Sequence, residues 1–332
     1  MPITGVTLSI LLGFLPMLVF AYIVYWTDRY EKEPKALLGG VFLWGAIVAA
    51  GAAFIINSSI GMGLYLFTGS QSFSELSTSS VIAPVIEEIL KGVAVLFVFL
   101  YFRREFDSIM DGIIYAAITA IGFAATENAY YIYTYGFREG GVSGILSLFI
   151  LRVVLVGWQH PFYTAFIGIG LAISRLNRNN LLKIIVPMIG LGIAIVVHSI
   201  HNTISMTLHG WKGLTAGLIF DWSGWLLMAV FVIWALYREQ QWIVTQLKEE
   251  VSTRIITPAQ YRTACSAWLQ TYSRTNALFL GKYHLINRFY TLTGELAYKK
   301  QQSLLPGEQR CDQFEIDEIR AELGKMSSEF IS

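Results

Sequence analysis

The chain has 332 residues, 55% of them hydrophobic and only 14% charged, with a mean hydropathy of +0.54. That balance excludes an ordinary soluble domain and points to a polytopic membrane protein. A formal net charge of +1 gives no field to attract nucleic acid, and the two cysteines, Cys265 and Cys311, do not make a disulfide framework.

A helix needs about 20 apolar residues to cross the hydrocarbon core of a bilayer. Seven stretches qualify: residues 5–26, 36–57, 79–102, 109–134, 143–175, 181–208 and 215–237. The expected fold is all-α, a membrane helical bundle of about seven transmembrane helices. The first stretch follows MPITGVTLSI, which has no basic n-region, so it is expected to stay as a helix rather than be cleaved as a signal peptide. The third contains "PVIEEILKGVAVLFVFLYF" and places Glu87, Glu88 and Lys91 in apolar surroundings. The fifth carries Gly157 and Pro161, which predict a kink or a split.

The loops test this division. Arg29, Lys32 and Lys35 lie after the first stretch, and no Lys or Arg lies between the second and third. Arg103 and Arg104 follow the third, Arg138 the fourth, Arg175, Arg178 and Lys183 the fifth, and Lys212 the sixth. Basic-rich and basic-poor loops alternate, which predicts an outside N-terminus and a cytoplasmic C-terminus.

Residues 238–332 differ in character and hold 12 of the 24 basic and 11 of the 23 acidic residues. Thr257 followed by Pro258 predicts a helix start, and "DQFEIDEIRAELGKM" has a helical apolar period. The expected organisation is a transmembrane domain over 1–237 and a cytosolic helical appendage over 238–332, where both cysteines stay reduced.

Each ionisable residue within a transmembrane helix costs about 2.5–3.5 kcal/mol even on the lenient insertion scale, so each is a functional candidate. The third stretch has Glu87, Glu88 and Lys91, the fourth Glu127 and Asn128, the fifth Arg152 and His160, and the sixth His198, His201 and Asn202. Counted from the cytoplasmic end of each helix, the glutamates, His160 and His198 all lie roughly 21–27 Å deep. Four helices thus bring acids and histidines to one level in the outer half of the bilayer. Arg152 and Asp221 lie nearer the outer face and read as interfacial or structural. His198 and Asn202, four residues apart, can face one cavity, and Lys91 can offset the charge of Glu87 and Glu88.

Two chemistries use such a set. A carboxylate can take a proton from water beside a histidine, with a histidine and an amide meeting the oxyanion. Alternatively, carboxylates and imidazoles can hold Zn²⁺ and acidify its bound water. A buried salt bridge is the bland alternative for Glu87, Glu88 and Lys91 taken alone, and a proton-coupled transporter or channel is the rival function. Gly141-Val142-Ser143-Gly144 matches the GxSG string of rhomboid serine proteases but falls in an outer loop and reads as a turn, and HExxH is absent.

The set as a whole resembles the PrsW family of intramembrane proteases, within the superfamily of CAAX prenyl proteases and bacteriocin-processing proteins. The matching residues are EExxK (Glu87, Glu88, Lys91), FxxxEN (Phe123, Glu127, Asn128), His160, and HxxxN (His198, Asn202), with "DRYEKEP" from Asp28 and "FDSIMDGIIYAA" from Phe106. The resemblance spans about residues 15–235. It implies an endopeptidase of the bacterial plasma membrane whose partners are the bilayer and a membrane-anchored protein substrate. Site-1 cleavage of an anti-sigma factor is the family precedent. It implies that Glu87 or Glu88 activates water, that His160 assists or binds metal, and that His198 and Asn202 form the oxyanion site. Lys91 and Asn128 would support these groups. Glu127 stands where relatives often have histidine, which favours a metal site; its candidate ligands are Glu88, Glu127, His160 and His198, with zinc the candidate ion.

Overall fold

A computed structural model of the protein describes residues 2–28, 32–304 and 313–329, and among them there is no strand. The helices, in chain order, are α1 (Pro2–Thr27), α2 (Lys35–Leu43), α3 (Ala50–Thr68), α4 (Gln71–Ser77), α5 (Ala83–Tyr101), α6 (Ile109–Tyr131), α7 (Arg138–Phe149), α8 (Gln159–Leu176), α9 (Asn180–Thr207) and α10 (Gly210–Gln246). After these come α11 (Lys248–Ser252), α12 (Pro258–Ala264), α13 (Ala267–Phe279), α14 (Tyr283–Ser303) and α15 (Gln313–Glu329). The expectation of an all-α polytopic bundle holds. Among the described residues, five helical stretches are long and apolar enough to cross a membrane: Ile3–Thr27, Lys35–Thr68, Ile109–Leu176, Asn180–Thr207 and Gly210–Ser252. The third of these takes in the stretches expected at 109–134 and 143–175. α5 lies outside the five because it carries Glu87, Glu88 and Lys91, the charges that make it interesting.

The chain divides into two compact units, the described parts of Met1–Thr27 and Glu33–Val230 in one, and of Asp28–Lys32 and Phe231–Ser332 in the other. In the first unit α6 is the central rod, buried at nearly every position from Ile109 to Ala125. It packs against α1, α2, α5 and α8. Small residues allow this without a hydrophobic driving force between helices. A Cβ on Gly112 would lie 2.3 Å from the carbonyl oxygen of Gly168, so α6 and α8 meet backbone to backbone. Gly45 and Thr119 meet likewise, which brings the π-helical turn Trp44–Ala49 onto α6.

The start of α6 explains one sequence signature. Ser108 caps the helix by accepting from the backbone N–H groups of Met110 and Asp111, and Asp111 returns the bond by accepting from the backbone N–H of Ser108. Tyr115, one turn further, donates to Glu33 from "DRYEKEP". The two loop signatures therefore meet. Residues 29–31 of that loop lie outside the described residues.

The expected break in the fifth stretch is present. A π-helical turn at Ile150–Leu155 ends the rod, and the chain restarts at Gln159 with Pro161 in the first turn, where its missing N–H costs nothing. The restart puts His160 at the beginning of α8.

The second unit has its own apolar core, in which Leu247, Ile256, Phe289, Leu296 and Leu323 are buried. Thr257 caps α12 as predicted, with Pro258 at the first position and Gln260 completing the reciprocal pair. Glu250 is fully buried at the junction of α11, α14 and α15, where Lys300 Nζ lies 2.6 Å and Arg320 Nη2 2.9 Å from Oε1. Cys265 is a free thiol; Cys311 lies outside the described residues.

Candidate active site

The first unit brings the polar residues of α5, α6, α8 and α9 to one place. The rings of His160 and His198 cross edge to face with centroids 5.2 Å apart. Around them lie Glu87, Glu88 and Lys91 from α5 and Glu127 from α6.

The two adjacent glutamates have different surroundings. Glu88 is fully buried and saturated: Oε1 takes Lys91 Nζ at 2.7 Å and His198 Nδ1 at 2.9 Å, and Oε2 takes the Thr164 hydroxyl at 2.8 Å. Glu87 has Asn57 Nδ2 at 3.4 Å from Oε1, while its buried Oε2 has no hydrogen-bond partner. Lys91 Nζ and His198 Nε2 each stand 3.9 Å from that oxygen. Glu87 also lines the cavity that reaches the site, so, unlike Glu88, it has an acceptor to spare for water.

The partners fix the imidazole tautomers. An ammonium only donates, so Lys91 Nζ, 3.1 Å from His160 Nδ1, makes that nitrogen the acceptor and leaves the ring proton on Nε2. His160 Nε2 then donates to Glu127 Oε2 at 2.9 Å. In neutral His198 the proton on Nδ1 faces Glu88, and Nε2 keeps a lone pair toward Glu87. Each histidine is thus backed by its own carboxylate. Lys91 is fully buried, and its ammonium also lies 4.2 Å from the centre of the Phe123 ring.

Glu87, His160 and His198 each offer a ligand atom within 4.8 Å of the other two, and all three residues are buried. A carboxylate with two imidazoles is a donor set of catalytic zinc sites, and carboxylates behind ligating histidines are the usual outer support. Glu87 Oε2 and His198 Nε2 are free donors, and His160 Nδ1 becomes the third when the Lys91 ammonium 3.1 Å away moves aside, so the residues fit a divalent metal. The set differs from the one expected from the resemblance: Glu88 and Glu127 hold the outer ring nitrogens, and Glu87 takes the inner position.

Two residues read as interfacial or structural pack against the site. Arg152 donates from Nη2 to Glu127 Oε2 at 2.7 Å and from Nε to Asn128 Oδ1 at 3.2 Å, with its guanidinium over Tyr131. The bend at Ile150–Leu155 brings it inward. Asp221 is fully buried, takes the Tyr163 hydroxyl at 3.1 Å and lies 3.0 Å from His201 Nδ1. Tyr163 stacks on His198 with centroids 4.9 Å apart. Asn202 donates to the backbone carbonyl of Ser79 at 2.8 Å, holding the π-helical turn Thr78–Ile82, and Asn128 serves Arg152. Ser143 of the GxSG string has its hydroxyl on the Gly140 carbonyl, next to the non-helical Gly141.

Thr164, Tyr163 and Asn57 were not singled out from the sequence. The first two lie four and three residues after His160, on its helical face, and that spacing is the signal that could have found them.

Comparison with known proteins identifies relatives of the chain. A model of the PrsW family intramembrane metalloprotease matches residues 33–236. The protease PrsW of Clostridioides difficile (strain 630) is 26% identical over 227 residues, 68% of this chain and 87% of that protein. That of Oceanobacillus iheyensis is 27% identical over 231 residues, 68% of this chain and 92% of its own. That of Geobacillus kaustophilus (strain HTA426) is 28% identical over 156 residues, 47% of this chain and 62% of that protein. No solved structure matches.

Proposed function

This chain belongs to the PrsW family of intramembrane metalloproteases, and from that membership we propose that it hydrolyses a peptide bond in a membrane-anchored protein, with Glu87 as the group that touches the attacking water. The observation that carries the assignment is the buried, unpartnered Oε2 of Glu87 beside two imidazoles, each braced by a second carboxylate.

Glu87 accepts the proton of the water and lies 3.9 Å from His198 Nε2, which can hold it for return to the leaving amine. Glu88 keeps His198 in its tautomer, and Glu127 does the same for His160. Lys91, with Arg152 behind Glu127, offsets the negative charge of three clustered carboxylates and faces the charge that develops at the carbonyl. Asn202 acts at one remove, through the backbone at Ser79. Glu87, His160 and His198 are the residues that would hold a zinc ion, which when bound lowers the pKa of its water and polarises the carbonyl.

The alternating loop charges support an outside N-terminus, a cytoplasmic C-terminus and a site in the outer half of a bacterial plasma membrane. A membrane-anchored anti-sigma factor is the substrate that the family precedent suggests. The test is cleavage of such a protein by the purified enzyme in liposomes, with Glu87→Gln and His160→Ala prepared separately. Loss of cleavage in both is expected. Undiminished cleavage in both would sink the proposal, and pH-driven flux without proteolysis would put proton-coupled transport in its place.

A further inference from the structure

The cavity onto which Glu87 opens has a volume of about 860 Å³. One wall is a face of α3 on which Ala53, Asn57 and Gly61 follow at helical spacing, and Thr78 faces the same space from the π-helical turn Thr78–Ile82. Besides Glu87 Oε2, two buried polar atoms on this cavity find no partner among the protein's groups: Asn57 Oδ1 and Thr78 Oγ1.

Both belong to residues that line the cavity. The carboxylate of Glu87 accepts and cannot donate when ionised, so the Asn57 amide turns Nδ2 toward it and leaves Oδ1 as a buried acceptor without a partner. A helical threonine ordinarily returns its hydroxyl to the carbonyl one turn back, as Thr119 and Thr203 do. Thr78 sits where the helix widens to π geometry, and its hydroxyl does not. π turns of this kind concentrate at functional sites. An acceptor and a hydroxyl beside a hydrolytic carboxylate complement the N–H and C=O groups of a peptide backbone. A helical peptide has already spent those groups on itself, whereas an unwound strand presents them free. Gly61 keeps the approach to Thr78 open: a Cβ there would lie 3.2 Å from Thr78 Oγ1.

We propose that this cavity binds the substrate as an unwound, extended strand, Asn57 Oδ1 accepting a backbone N–H next to the scissile bond and Thr78 Oγ1 pairing with a second backbone group further along. The proposal rests on the reading of Glu87 as a peptide-hydrolysing carboxylate. It makes Asn57 and Thr78 substrate-binding residues and makes local unwinding a requirement for cleavage.

The test uses the full-length enzyme in detergent and a quenched-fluorescent peptide selected from a library for wild-type cleavage. Each backbone amide flanking the scissile bond is replaced in turn by an ester, which removes one N–H. In wild type, two positions should each lower kcat/KM roughly tenfold. Asn57→Leu should lower cleavage of the parent peptide and abolish the extra cost of the ester at one of them. Asn57 touches Glu87, so Thr78→Val, remote from that carboxylate, is the independent probe. It should erase the cost of an ester at a second position and leave the first unchanged. Equal ester costs in wild type and both variants overturn the strand proposal while leaving the Glu87 reading intact, provided that Glu87→Gln is inactive on the parent peptide. A Glu87→Gln enzyme that still cleaves, or a wild type that cleaves neither any peptide nor a membrane-anchored protein, removes the hydrolytic reading and this proposal with it.

Discussion

Nδ1 of His198 lies 2.9 Å from Oε1 of Glu88, and this contact separates the work of two neighbouring glutamates. Glu88 spends its acceptors on His198, Lys91 and Thr164, whereas Glu87 keeps one oxygen free. Glu87→Gln should therefore fold normally and lose about 10²–10⁴-fold in turnover. Glu88→Gln breaks a buried ion pair and should destabilise the protein by about 3–5 kcal/mol. Melting curves in detergent beside kcat check both. An active Glu87→Gln enzyme together with an inactive, fully stable Glu88→Gln enzyme would show that the two roles are exchanged.

Metal content gives a readout independent of turnover. If Glu87, His160 and His198 hold zinc, His160→Ala and His198→Ala should each lose stoichiometric metal in elemental analysis of the purified protein. Glu127→Gln takes the carboxylate from behind His160, and from Arg152, without touching a candidate ligand, and should weaken metal affinity by about 10–100-fold without abolishing it. Full activity in protein free of metal would establish the glutamate route and exclude the metal one.

The sequence made much of this site legible, because intramembrane charge is costly enough to mark itself. Glu87, Glu88, Glu127, His160 and His198 stood out against apolar stretches, and loop charges placed them at one depth. Spacing along single helices carries no information about which neighbour each carboxylate meets, so the division between Glu87 and Glu88 was not readable. Arg152 and Asp221 stood out for the same reason but were placed by counting residues along regular helices. The π turn at Ile150–Leu155 and the burial of Asp221 against His201 depend on packing that a regular count does not see. Asn57 lay at the end of a predicted span that holds no ionisable residue, whereas Asn128 and Asn202 each follow one directly.

Arg152 is the cation behind Glu127, and both side chains are about one-fifth exposed. Arg152→Met leaves Glu127 and Asn128 short of a donor and should cost about 1.5–3 kcal/mol. Arg152→Lys keeps the charge but cannot serve Glu127 and Asn128 with one planar fork, so it should recover part of the stability and less of the activity. Equal melting temperatures for wild type and Arg152→Met would contradict this role.

The second unit should respond to acid. Lys300, hydrogen-bonded to Glu249 at 2.7 Å, and Arg320 beside it hold that carboxyl below its ordinary value. A group whose folded pKa is depressed contributes stability that is present above its unfolded pKa and lost as pH falls through the folded one. Hydrogen exchange in α14 and α15 of the full-length chain, corrected for intrinsic rates, should therefore quicken below about pH 4.5. Glu249→Gln should flatten that dependence, and an unchanged profile in the variant would show that other groups set it. Because Glu249 is largely exposed, the effect should shrink in high salt.

Tyr163 joins Asp221 to the ring of His198. Its hydroxyl donates to the buried Asp221 carboxylate while its face lies on His198, with planes 26° apart. Tyr163→Phe keeps the stack and removes one of the contacts that hold the ring in place, so kcat should fall several-fold, up to about tenfold, with KM unchanged. Tyr163→Leu removes the stack as well and frees the His198 ring to tilt away from Glu87, so its kcat should fall further. Asp221→Asn leaves a carboxamide facing both Tyr163 and His201 and should resemble Tyr163→Phe in kcat while costing more stability, since a buried carboxylate that serves His201 is replaced. The discriminating measurement is the KM-against-kcat split across the three variants. A general loss of stability would lower the active fraction and leave kcat per folded molecule untouched, whereas displacement of His198 lowers kcat in every folded molecule. Normal kcat per folded molecule in Tyr163→Leu would mean that the stack positions nothing.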